Sequence, residues 1–498
     1  MEGWRPSSCP PSTLLAPPPR GHPGRAYAPV FGKGMRLSFH SSDQRPVNQT
    51  FPFMRAARSR SLASPLRSRA RPFGPVRSVL RVAPVPPALS SGAAARRDRD
   101  TTPTLVSVAG LALLLVIGVR VHEAVPIIAK LRPALVGAAL GFPLVLASTR
   151  TTSFAEVFGR QPIRLTLLYV GLAVLSVPTS LWPGGSFTML RNVAIGGLLM
   201  LVLAVGPATE KGLSRLHSAL AVGTGFYGLA MMTTGVRVAE NRLTLPYGTL
   251  DSNDAAAMMA LAMPFSIAGV MSARGVRRLV ALATASILAV AILQTGSRGG
   301  ALAAIVGITV FAAQMRGGKK LAGFVTAVAA CGLMWLAAPD SFRTRMQTLA
   351  TLEQDYNATE YSGRKQIWKR AMTYIARDPV LGVGVGSFSV AEGEELAKQG
   401  RVGVWINAHN AYLQAGAELG VGGLLLLPWI LVSCIRTAAR WRRARFVTLS
   451  MTYVASWAAF ATSAFFLSHA YSYMLFVLVG MTVCADRSVG LPGVRARQ

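Results

Sequence analysis

The chain has 498 residues, of which 51% are hydrophobic and only 14% charged, and its formal net charge is +32. Soluble domains usually carry about a quarter charged residues, so this composition excludes a soluble multidomain protein. The positive charge is concentrated at the start, where residues 1–100 hold 17 Arg and Lys against 4 Asp and Glu. With no aromatic-interleaved basic pattern and no zinc-finger spacing, it does not point to nucleic-acid binding.

Residues 1–100 are rich in Arg, Pro and Ser, as in "RAARSRSLASPLRSRARPFGP", and show no apolar periodicity. Such a segment buries too little surface to offset its conformational entropy, so a disordered basic cytoplasmic arm is expected. Two readings stay open. The arm touches anionic lipid, or it is an upstream extension of a chain that starts at Met35 or Met54.

Apolar runs then recur near 104–119, 133–147, 164–180, 193–207, 218–236, 254–272, 277–293, 299–314, 320–337, 414–434, 447–467 and 470–485. Each is about long enough for a helix to cross a ~30 Å hydrocarbon core. The expected fold class is an all-α polytopic membrane protein with about twelve transmembrane helices over residues 101–485, and 486–498 as a cytoplasmic tail. The connections "SARGVRR" (272–278), "QMRGGKK" (314–320) and "RTAARWRRARF" (436–446) are short and basic. The positive-inside rule places all three in the cytoplasm and agrees on one topology. The outer side then receives 182–192, 237–253, the tight turn 294–298 and the long segment 338–413. Cys9, Cys331, Cys434 and Cys484 are scattered and form no metal-ligand spacing. Inert thiols are expected.

Three polar positions on the outer side stand out. Arg298 opens a membrane helix beside Gly299 and Gly300. A charge at membrane depth marks either a functional site or an arginine that snorkels to lipid phosphate. Arg364, Trp368 and Ala371 share one face of a short helix, and Lys365, Lys369 and Arg370 widen its cationic surface. One reading lays that helix on the membrane surface, and the other has its four cations simply binding lipid headgroups. The "DPVLGVGVGSF" stretch (378–388) that follows is glycine-rich but lacks the Lys-Ser/Thr end of a phosphate loop, which argues against nucleotide binding. In "WINAHNAYLQAGAELG", Asn407 is expected to cap the next helix and His409 to sit in its first turn. His409 is either a structural histidine or one that removes a proton from a hydroxyl. Together the three suggest two guanidiniums clamping a pyrophosphate while a histidine activates an acceptor. A transporter of twelve helices is the alternative, but its halves would be expected to look alike.

At these residues the chain resembles the O-antigen ligase and polymerase superfamily of bacterial membrane glycosyltransferases. The resemblance lies in "TGSRGGALAAI" (295–305), "RKQIWKRA" (364–371), "DPVLGVGVGSF" (378–388) and "AHNAYLQAGAELGVGG" (408–423). "DSNDAAAMMALAMP" (251–264) also looks like a family segment. The resemblance implies a GT-C-like fold in the bacterial inner membrane, with 338–413 as a long periplasmic loop containing short helices. It implies transfer of a glycan from undecaprenyl pyrophosphate to lipid A–core or to another lipid-linked glycan. Inversion at the anomeric carbon, with no metal, cofactor or nucleotide sugar, is expected. Arg298 and Arg364 would hold the diphosphate and His409 would activate the acceptor. Trp368 and Asn410 would contact the lipid diphosphate or the glycan. Ligase is the leading expectation, polymerase the alternative. The basic arm has no counterpart in the family.

Overall fold

The computed structural model describes residues 104–125, 154–206, 209–238, 241–246, 248–338, 340–347, 360–400 and 405–490, with the single positions 139 and 143. The basic arm, the run near 133–147 and residues 491–498 lie outside the described residues.

Eleven of the twelve apolar runs coincide with helix. Beside two short pieces, Val121–Ala124 and Phe154–Phe158, the helices are α1 (Thr104–Leu113), continued by a π-helical turn to Gly118, α2 (Gln161–Leu175), α3 (Pro183–Val205), α4 (Glu210–Thr234), α5 (Ser252–Ser272), α6 (Val276–Gln294), α7 (Arg298–Ala313) and α8 (Gly318–Ala337). Among its described residues the long segment carries three short helices, α9 (Asp340–Gln347), α10 (Arg364–Arg377) and α11 (Phe388–Lys398). Three more close the fold: α12 (Ala411–Trp441), α13 (Val447–Phe466) and α14 (Tyr473–Gly490). Among the described residues, five helices, α3, α5, α6, α12 and α14, are long and apolar enough to cross a membrane. Gln161–Leu175 and Arg298–Ala313 are shorter apolar helices. A small antiparallel hairpin pairs β1 (Val236–Val238) with β2 (Arg242–Thr244), a local exception to the all-α expectation.

Some boundaries differ from those read off hydropathy. Residues 182–192, expected as a loop, form the first turns of α3. Pro183 occupies the first helical position, where its missing N–H is no loss. The last helix does not stop at 485 but runs to Gly490. Asp486 and Arg487 are charged yet paired. Asp486 accepts from the Trp441 indole at 2.8 Å and bonds Arg160, while Arg487 donates to the Ala204 carbonyl at 2.8 Å and pairs with Glu156.

The interior is built from close helix contacts between small residues. α13 packs on α5, α7 and α12. A Cβ on Gly300 would fall 2.3 Å from the Ala256 Cβ, and one on Gly307 3.2 Å from the Ala459 Cβ. In a bilayer, where no hydrophobic force separates helix from lipid, such close backbone approach is what holds helices together. Arg442, in the basic 436–446 connection, donates to the Gln314 carbonyl at 2.7 Å, so that connection and 314–320 lie at one end of the bundle. The 16 residues of α7 put that end about 24 Å from Arg298.

The glycine-rich 378–388 stretch has a structural task. α12 is broken at Gly420, whose φ of 68° and ψ of −163° exclude a side chain. The break frees backbone groups that must find partners away from water. Val421 N–H donates to the Pro379 carbonyl at 2.8 Å, and Val383 N–H donates to the Ala417 carbonyl at 2.8 Å. The Glu418 carboxylate, fully buried, accepts from Gly386 N–H at 2.8 Å and Phe388 N–H at 3.2 Å, and so caps α11.

α10 does not merely lie on a surface. Ile367, Ala371, Tyr374 and Ile375 are buried in a cluster that includes Phe388, Ala408 and Ala417. Arg370 is not part of an open cationic face, as expected from sequence, but is clamped by Glu392. Its Nε lies 3.0 Å from both carboxylate oxygens and its Nη2 2.6 Å from one of them, with the Tyr361 ring 4.5 Å from the guanidinium carbon. Lys365 and Lys369 are exposed. Glu392→Leu strands Arg370, which costs about 3–5 kcal/mol. The expected result is a lower melting temperature and faster proteolysis within 360–400, with recovery in the double variant Arg370→Met/Glu392→Leu.

Candidate functional site

The residues of interest meet at the end of the bundle opposite the basic connections, around one corner, residues 465–469. The corner leaves α13 at Phe466 and leads into α14. Four of its residues each grip a different element.

Phe466 meets the start of α7. A Cβ on Gly299 would sit 3.1 Å from the Phe466 Cβ, so glycine there lets the Arg298 turn seat against the corner. Ser297 caps α7, its hydroxyl accepting from Gly300 N–H at 3.1 Å, and Thr295 accepts from Ser297 N–H at 3.1 Å. The expected tight turn at 294–298 is therefore present and rigid. Arg298 emerges from it half-buried.

Phe465 stacks edge-on against Trp368, with centroids 5.3 Å apart. The Trp368 indole also donates to the Ala408 carbonyl at 3.1 Å. Trp368 thus ties α10, and with it Arg364, to both the corner and the strand of chain leading to His409.

Ser468 accepts from the backbone N–H of His409 at 2.9 Å. His409 is not in the first turn of α12, and Asn407 is not its cap. Asn410 is the cap, its side-chain carbonyl accepting from Tyr412 and Leu413 N–H at 3.0 Å each. His409 stands one residue earlier with a positive φ of 48°. That left-handed backbone is uncommon for a residue with a Cβ and marks a held position rather than a relaxed one. Asn410 is buried, with its oxygen committed to the cap.

His469 bonds Asp254, with Nε2 to Oδ1 at 2.8 Å. Asp254 lies in the first turn of α5, which Asp251 caps by accepting from Asn253 and Asp254 N–H at 2.7 Å. Asp254, Ser468 and His469 carry no motif that marks them in the sequence. The usable signal was that His469 is one of six histidines in the chain and follows an apolar run.

Among these parts, Arg364, Asp251 and Asp254 act electrostatically on His409. Burial, and next the Arg364 guanidinium, lower the His409 pKa below its ordinary value, while Asp251 and Asp254 pull it up. The imidazole is therefore neutral at pH 7 and able to accept a proton. Arg364 and His409 feel each other across a gap closed by the Trp368–Ala408 bond. Among the described residues, no group of three or more His, Cys, Asp or Glu gathers as a metal site.

A helical membrane protein with cationic and imidazole groups collected at one end of its bundle is the class that fold and site define. Residues 283–428 match the family model described as O-Antigen ligase. No curated protein matches the chain. The matched span contains Arg298, Arg364 and His409, but Asp254, Ser468 and His469 fall outside it.

The proximity of Arg364 to His409 has a measurable sign. Arg364 lowers the imidazole pKa, so Arg364→Gln raises it. If His409 acts as a base, the acid limb of the pH–kcat/KM profile then moves to higher pH. A limb that stays in place, or moves down, contradicts the electrostatic contact.

Proposed function

We propose that the chain transfers a glycan from undecaprenyl pyrophosphate to an acceptor hydroxyl at the periplasmic face of the inner membrane. What supports this reading most is one observation. The turn that carries the "SRG" arginine, the helix that carries Arg364 and the backbone of the "HN" histidine all pack on one corner, through Phe466, Phe465 and Ser468, and all three candidate residues lie in the family-matched span.

The proposed step is a direct displacement. An acceptor oxygen forms its bond to the anomeric carbon of the donor sugar as the bond from that carbon to the diphosphate oxygen breaks. His409 accepts the hydroxyl proton at its imidazole. The electron pair leaves with undecaprenyl pyrophosphate, and charge grows on its oxygens. Arg298 and Arg364 would meet that charge with fixed, planar donors that need no reorganisation. Attack opposite the leaving group inverts the anomeric carbon. Trp368 serves this arrangement by holding both Arg364 and the His409 approach. The basic connections at the opposite end favour placing the site outside the cytoplasm.

General-base catalysis contributes about 10²–10⁴-fold. Purified His409→Ala is expected to lose at least about 100-fold in transfer while keeping its affinity for undecaprenyl pyrophosphate. Arg298→Ala is expected to lose both. The assay supplies an undecaprenyl-pyrophosphate glycan with lipid A–core in one arm and with a second lipid-linked glycan in the other. Product in the first arm identifies a ligase, product in the second a polymerase. Undiminished transfer by either variant would falsify the mechanism.

A further inference from the structure

Beside the corner lies a cleft of about 410 Å³, within the range of roughly 300–1,000 Å³ typical of small-molecule sites. Its polar wall includes Asn192, Thr249, Asp254, His469 and Ser472, and the Tyr473 ring joins them. None of these residues belongs to the proposed diphosphate clamp.

The chemistry of the wall selects its ligand. Its one arginine, Arg120, is already neutralised by Glu123 at 2.8 Å, and Glu123 also accepts from the Thr249 hydroxyl at 2.6 Å. The surface presented is thus amide, hydroxyl and imidazole, with one partly exposed carboxylate, Asp254, whose side chain keeps 35% of its surface open. Such a wall does not suit a phosphate. It suits a neutral polyol, whose hydroxyls donate to a carboxylate and accept from amides, and whose C–H face lies on an aromatic ring.

Two buried polar atoms of the wall support this assignment. Among the described residues, His469 Nδ1 and Ser472 Oγ have no hydrogen-bond partner. A carboxylate only accepts, so His469 Nε2 carries the proton donated to Asp254. Nδ1 is then an unpaired polar atom that a sugar hydroxyl, which both donates and accepts, can match. Buried polar atoms are rarely left unpaired without a reason.

We propose that this cleft binds a sugar unit of the glycan substrate. Asp254 would link it to the reaction centre, because the same carboxylate bonds His469 in the cleft wall and acts on the His409 imidazole. The assignment rests on the reading of the chain as a glycan transferase. The shared chemistry is a sugar, which the donor or the acceptor can supply.

The test is equilibrium binding to the full-length protein in detergent, with three probes. These are undecaprenyl pyrophosphate without sugar, its glycan-bearing form, and a sugar acceptor such as lipid A–core. Asn192→Trp fills the cleft from α3, and Ser472→Ala removes one hydroxyl with little steric change. Both are expected to weaken binding of a sugar-bearing probe, Asn192→Trp by about tenfold or more. Binding of sugar-free undecaprenyl pyrophosphate is expected to stay unchanged. A loss confined to the glycan-bearing lipid assigns the cleft to the donor, and one confined to lipid A–core assigns it to the acceptor. Equal loss for all three probes, or no loss for either sugar-bearing probe, overturns the proposal. Arg298→Ala separates the two readings. If it leaves undecaprenyl pyrophosphate binding intact, the diphosphate clamp fails independently of the cleft.

Discussion

The short corner after α13 is the constraint on which the candidate site depends. Phe465, Phe466, Ser468 and His469 reach, in turn, α10, α7, the approach to α12, and α5. Two of these contacts are apolar and two are hydrogen bonds, so the corner resists both separation and rotation of its neighbours. A site assembled from elements some 200 residues apart in sequence needs such a hub. Without it, each functional group would sit on a helix free to slide against the others, and an error of about 1 Å in placement costs about 10²-fold in rate.

A second constraint holds residues 360–400 to this frame. The break at Gly420 turns one long helix into two pieces, and the groups it frees become the docking points for 379–388. Glu418 extends the same logic with a side chain, spending its carboxylate on two backbone amides of the docked turn. The serines 176, 180, 186 and 387 add a hydroxyl network between that turn and the connection from α2 to α3, including Ser180 to Ser387 at 2.8 Å and Val385 N–H to Ser176 at 3.1 Å. α10 and α11 are then fixed to each other by Arg370 and Glu392. Residues 360–400 are therefore held by backbone pairing and by buried charge, with α10 seated between.

Hydropathy made the helices legible because lipid-facing and core-facing residues are both apolar in such a protein, so long runs survive intact. It misplaced ends wherever a polar residue had a partner far away in sequence. Asp486 and Arg487 look like a tail until Trp441, Arg160 and Ala204 are seen beside them. Arg298, Arg364 and His409 were legible as unusual charges and as family motifs. Their mutual placement was not, because it depends on Phe465, Phe466 and Ser468, residues ordinary in type. The cap was shifted from Asn407 to Asn410 because both asparagines suit the role and only the backbone decides between them. Arg370 was misread as free charge because its partner lies on a different helix, 22 residues on.

The position of the corner in the chain also orders events during synthesis. Arg298, Arg364 and His409 all leave the ribosome before residues 465–469, which bring them together, and α14 follows after that. Until the last two helices are inserted, the nascent chain holds every candidate reactive group but not the frame that aligns them. On the proposed function, a partly made chain therefore lacks the aligned site, which is completed only late in translation.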